Sequence, residues 1–217
     1  MMTGTIGILE LAVLAVIAIG ANQVLTLKGR EKLWEYSPAL RFTVVGTLMF
    51  VLYGVLAAVS SFFSFSKSLQ FSHFLVGLDT LAIYGFFSMT MFGAIYFITP
   101  RVARCEWPSG SLIRNHFWFS TYGIGTIVVT MLLGGLAQGA AIGRWDQDFM
   151  TTVTISKPWL VGRIIAWFLI AIANLGFFYQ LALMFAGKGR KSEGPTLMHA
   201  KPGEAKSAEA AAGLAGA

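Results

Sequence analysis

The feature that most limits this chain is a series of five apolar stretches, each long enough to cross a bilayer: residues 6–27, 42–63, 74–98, 117–142 and 159–186. A hydrocarbon core of roughly 30 Å takes about 20 apolar residues in helical form. Backbone groups left unpaired in lipid are prohibitive, so such segments form helices or closed barrels. The alternating segments of about ten residues that build a membrane barrel are absent from the sequence. The expected fold class is therefore all-α, an integral membrane bundle of five transmembrane helices over residues 1–187. Composition agrees: 56% of the 217 residues are hydrophobic and only 12% charged, against about 25% charged in soluble domains.

The few charges are informative by position. Lys28, Arg30, Lys32, Arg41, Arg101, Arg104, Arg114, Lys188, Arg190 and Lys191 fall on one side of the expected bundle; Lys67, Arg144, Lys157 and Arg163 fall on the other. Cytoplasmic loops carry the Lys/Arg excess, so the ten-residue side is expected to be cytoplasmic. Five spans then place the N-terminus outside and the C-terminus inside. The net charge of +6 belongs to these loops and does not indicate nucleic-acid binding. The first span lacks a basic leader and a small-residue cleavage site, so it reads as a retained helix. Residues 188–217 are rich in Gly, Pro, Ala, Lys and Glu. They are expected to be a disordered cytoplasmic tail.

Local signals divide the bundle further. Pro38 is placed just before the second span, where its missing N–H matters least. Pro100 is expected to end the third span, and residues 143–158, with Asp146 and Asp148, to form an outer loop. Trp34 and Tyr36 in loop 28–41 suit the headgroup level. Gly135 and Gly139, four apart, permit close helix approach, either inside the bundle or against a partner.

Little chemistry is on offer. A single Cys105 excludes an internal disulfide. Of three histidines, His73 and His116 lie near span ends and His199 in the tail. Glu10 and Arg163 sit near outer ends, within reach of headgroups. Asp79, about two turns into the third span, is the ionisable group that stands out, because an acid in lipid must be neutral, paired or facing water or a partner.

Several ordered strings resemble the C-terminal part of subunit I of haem-copper oxidases, closest to the cbb3-type cytochrome c oxidase and nitric oxide reductase branch. They are "SPALRFTVVG" at 37–46, "YGFFSMTMFGAIYFITPR" at 84–101, "LIRNHFWFSTYGIG" at 112–125 and "GLAQG" at 135–139. In that family a His-x-His pair precedes the "YGF" region of the third span, and residues two apart on a helix point roughly 200° apart, toward two haems. Anchored on Tyr84–Gly85–Phe86, the pair falls on Leu78 and Thr80, neither a useful iron ligand. Asp79 lies between these vacated positions and is expected to mark a buried, partner-dependent site, enclosed by protein rather than lipid. The face around Leu78 and Thr80 should be filled, with Phe74, Phe86, Phe87 and Phe92 available. Arg144, where the family places basic residues facing haem propionates, is expected to pair with Asp146, Asp148 or headgroups.

The resemblance implies a haem-less, truncated relative of the catalytic subunit in a bacterial inner membrane. It would act as a structural or accessory subunit of a respiratory electron-transport complex, without catalysis of its own. No cofactor or metal is expected on this chain; haem and copper would reside in partner subunits. Two alternatives stay open: the C-terminal part of a split cytochrome c oxidase catalytic subunit, and a small proton- or ion-conducting protein using Asp79 with Asn22 and Gln23.

Overall fold

The computed structural model describes residues 2–29, 33–144, 146, 148–191 and 195–198, with side chains from Val13 onward. The described residues are helical almost throughout. In chain order the helices are α1 (Met2–Leu27), α2 (Leu33–Tyr36), α3 (Pro38–Ser60), α4 (Phe63–Leu69), α5 (His73–Thr80), a π-helical stretch (Leu81–Ser88), α6 (Met89–Ala103), α7 (Gly110–Ile142) and α8 (Phe149–Leu183). The last helix widens into a second π-helical turn, Met184–Lys188. Helix α5, the π stretch and α6 form one continuous rod, His73–Ala103. That rod, α3, α7 and α8 with its extension are each long and apolar enough to cross a membrane. Helix α1 spans 26 residues; its described apolar part, Val13–Leu27, is shorter.

Local chemistry sets the ends. Ser37 caps α3, its side chain accepting from the Leu40 N–H at 3.4 Å, with Pro38 in the first turn. Ser72 caps α5 in the same way through the Phe74 N–H, while Gln138 of α7 accepts from the His73 N–H at 2.8 Å. Arg104 ends α6 in the left-handed region at φ 52°.

Pro100 does not end its helix, which runs to Ala103. A proline removes the N–H that would serve the carbonyl four residues back, here that of Tyr96. The Trp107 indole N–H donates to that carbonyl at 3.3 Å. The freed acceptor is thus satisfied from the following loop and the helix continues. The loop expected over 143–158 is likewise shorter, because α8 already begins at Phe149 and carries Pro158 inside it. Apolar length registers the hydrocarbon thickness, whereas helical hydrogen bonding continues into the headgroup zone.

Helix α7 is central. On one side Gly135 and Gly139 meet the backbones of Phe74 and Ser68, and Gly77 of α5 meets Leu132. On the other side Gly123 packs on Ala166 and Ile170, and Gly134 on Trp159. The Gly135–Gly139 pair therefore serves packing within the bundle. Helix α3 lies along the rod, where Gly46 and Gly93 allow contact with Thr90 and Thr43, and α1 packs on α3 at Gly54. One core cluster, around Phe42, Tyr96, Trp107, His116 and Phe177, sits at the end holding Arg41, Arg101 and Arg114. A smaller one, Leu69, Phe74 and Leu78, sits at the opposite end.

Part of the expected tail is tied to the basic end. Glu106 and Arg190 exchange backbone hydrogen bonds at 2.9 Å. The Glu106 carboxylate accepts from the Thr196 N–H and hydroxyl at 2.9 and 2.8 Å. The Met198 N–H donates to Tyr36 O, and Met198 is buried. Within the expected tail, Arg190, Thr196 and Met198 thus have hydrogen-bond partners, and Met198 is buried. Residues 192–194 and 199–217, including His199, lie outside the described residues.

A Cβ at Gly135 would overlap the Phe74 backbone, whereas one at Gly125 meets nothing within 4 Å. Gly135→Ala is expected to cost about 1–3 kcal/mol and to lower the melting temperature in detergent. Gly125→Ala should leave it unchanged.

Candidate functional site

The three residues of the vacated frame lie on α5 and its junction with the π stretch. Successive helical residues turn by about 100°. Taking Leu78 as zero, Thr80 stands at about 200°, and buried Gly77, Leu81 and Phe74 fill the arc between them on the protein side. Leu78 and Thr80 are accordingly 6% and 7% exposed. Leu78 packs with Leu69 and Phe74, against Tyr53, Leu56 and Leu132. The Thr80 hydroxyl donates to Val76 O at 2.7 Å. Of the aromatic residues expected here, Phe74 fills the face. Phe86 pairs with Phe50 at 4.6 Å between ring centroids, Phe92 joins the basic-end core, and Phe87 points outward.

Asp79 is not buried. The same rotation that turns both neighbours inward sends it about 100° from each, to the outside of the bundle, where it is exposed. It makes no hydrogen bond or ion pair among the described residues. Nor does the fold bring it to Asn22 and Gln23. Helix α1 runs parallel to the rod; Asn22 is near the C-terminal end of the one and Asp79 near the N-terminal end of the other. Arg144 is exposed and forms no ion pair with Asp146 or Asp148 among the described residues. The Glu10 side chain lies outside the described residues.

The site that sequence reasoning missed is His116. Its distance from the start of α7 is only six residues, yet it is 1% exposed. Tyr96 of α6 shares a 2.8 Å hydrogen bond with its Nδ1. Phe177 of α8 stacks on the imidazole at 5.1 Å, Phe92 meets it edge-on at 4.6 Å, and Phe42 closes a third side at 5.2 Å. Four helices thus converge on one imidazole. Its Nε2 and the amide of Gln180, one turn from Phe177 and 0% exposed, have no partner among the described residues. The available signal was the spacing of His116, Phe117 and Ser120, which puts a histidine on the apolar face of α7.

The residues present do not fit the haem that the frame implies. Leu78 offers no donor atom, and the Thr80 hydroxyl is engaged with its own helix. His116 carries a free ring nitrogen, but aromatic rings occupy the space around it. No group of three or more His, Cys, Asp or Glu able to hold a metal ion occurs among the described residues.

The fold is a membrane helix bundle built around a central, glycine-lined helix. The family model for cytochrome c and quinol oxidase polypeptide I matches residues 2–187, and the chain belongs to that family. It is 24% identical over 180 residues to a cytochrome c oxidase subunit 1 homolog of Agrobacterium tumefaciens (strain T37), covering 78% of this chain and 33% of that one. It is 28% identical over 164 residues to a homolog of the same name from Azorhizobium caulinodans, covering 71% and 29%. With the cytochrome c oxidase subunit 1 of Rhodobacter capsulatus it shares 26% over 167 residues, covering 74% and 31%. The chain therefore matches about a third of the length of these relatives.

Tyr96→Phe leaves a buried imidazole nitrogen unpaired and is expected to cost about 1–3 kcal/mol, read as a lower melting temperature in detergent. The Tyr96→Phe/His116→Phe double variant should lose less than the two single variants together.

Proposed function

We propose that this chain is a haem-free structural subunit of a respiratory membrane complex, derived from the catalytic subunit of the cbb3-type oxidase and nitric oxide reductase branch. One observation carries the reading. The two positions that would hold haem ligands bear Leu78 and Thr80, and both are packed into the bundle by the chain's own residues. A Leu side chain in that packing leaves neither a donor nor room for a macrocycle.

The Lys/Arg excess near the N-terminal ends of α3 and α7 supports placing that end in the cytoplasm of a bacterium. The strap at Thr196 and Met198 then lies on the cytoplasmic side. A C-terminal green fluorescent protein fusion should be fluorescent and a C-terminal alkaline phosphatase fusion inactive; the reverse pattern would invert the orientation.

The role itself is tested by spectrum and composition. Purified from its own membranes in mild detergent, the chain should come with cytochrome-bearing subunits. Expressed and purified alone, it should show no haem absorbance in proportion to polypeptide. One haem per isolated chain would overturn the proposal.

A further inference from the structure

Unpartnered polar atoms gather where the four helices meet. Among the described residues six buried side-chain polar atoms have no hydrogen-bond partner. Four of the six belong to three residues around one imidazole: His116 Nε2, the Ser120 hydroxyl and both amide atoms of Gln180. These residues are 1%, 3% and 0% exposed. A polar atom kept from bulk water without a partner is costly, and native interiors supply one, commonly an ordered water.

The seam between α7 and α8 brings the three residues together. On α8 the buried residues Ile170, Ala173, Phe177 and Gln180 form one stripe, three or four apart; on α7 Ile113, His116, Ser120 and Gly123 do the same. The helices run antiparallel, with Gly134 on Trp159, Gly123 on Ile170 and His116 stacked on Phe177. Gln180 is three residues beyond Phe177, about 4.5 Å along the axis and within reach of a glutamine side chain. Ser120 is one turn from His116 on the same face. Thr43, Thr47, Thr80 and Ser156 each donate to the carbonyl four residues back. Ser120 does not, and its hydroxyl is left for another partner.

Donors and acceptors define the ligand. Tyr96 shares its hydroxyl with His116 Nδ1. When the hydroxyl donates, Nε2 carries the proton and needs an acceptor; when the imidazole donates, Nε2 needs a donor. The Gln180 amide needs both. The ligand must therefore donate and accept, and it must be small, because Phe42, Phe92 and Phe177 close on the ring. Water meets both requirements and makes about three hydrogen bonds in such sites.

We propose that His116, Ser120 and Gln180 form a buried water-binding site in the α7–α8 seam, with one water joining the imidazole Nε2 to the Gln180 amide. The site links the Tyr96–His116 pair to α8 by a polar bridge inside an aromatic core. It holds whether or not the chain serves in a complex.

The test uses the full chain in lipid bilayers, with isotope-labelled histidine and solid-state NMR that transfers magnetisation from water. Loss of a signal in His116→Phe assigns His116. The expected result is transfer from water to His116 Nε2, falling to about half or less in Gln180→Leu, which removes one wall of the water's hydrogen-bonding shell. A crystal structure resolving ordered water should show a peak within about 3.2 Å of both Nε2 and the Gln180 amide. Absence of transfer to Nε2 in wild type would overturn the proposal, as would undiminished transfer in Gln180→Leu. So would a structure in which the Gln180 amide bonds the imidazole directly with no water between them. The two wild-type measurements decide the matter even where Gln180→Leu does not fold.

Discussion

Close contact between α7 and its two neighbours is the constraint on which the rest of the bundle depends. Glycines on α7 let Phe74 and Ser68 approach on one side, and Ala166, Ile170 and Trp159 on the other. In lipid there is no hydrophobic drive between helices, so such packing carries much of the association. It also fixes the rotation of α5. Once Gly77 and Phe74 face α7, Leu78 and Thr80 must flank that contact and Asp79 must point away.

That rotation connects packing with function. A pair of positions two apart can serve two haems because each lies at an edge of the buried arc. In this chain Leu78 and Thr80 stand at the two edges of such an arc, with apolar packing at one and a self-satisfied hydroxyl at the other. The π stretch begins at Leu81, directly after the frame, and Ser88 donates to the Ile83 carbonyl five residues back within it. Wider turns of this kind are frequent at functional sites. In this chain the wide turn directly follows Leu78 and Thr80. The converging aromatic cluster about His116 joins α3, α6, α7 and α8 at the other end of the bundle.

Much of this was legible in the sequence. Span-length apolar stretches gave the bundle, and the ordered strings gave the family. The orientation of Asp79 was legible too, since its direction follows from the two residues flanking it. Asp79 lies between two buried positions in sequence, and the 100° step per residue turns it away from the arc they flank. The Tyr96–His116 bond joins residues twenty apart on different helices, which no local pattern reports. The rescue of the Tyr96 carbonyl by Trp107 likewise depends on where a loop returns, so Pro100 read as a helix end. Thr196 and Met198 are held by Glu106 and Tyr36, partners remote in sequence, and tail composition alone gave no sign of them.

The central claim is that the ligand frame on α5 is filled by protein. A cryo-electron microscopy map of the native complex, resolving side chains on this helix, tests it most directly. The account predicts continuous protein density from Leu78 to Leu132 and Tyr53, with any haem iron held by other subunits. A tetrapyrrole lying against Leu78 or Thr80, with iron ligated from this chain, would contradict it.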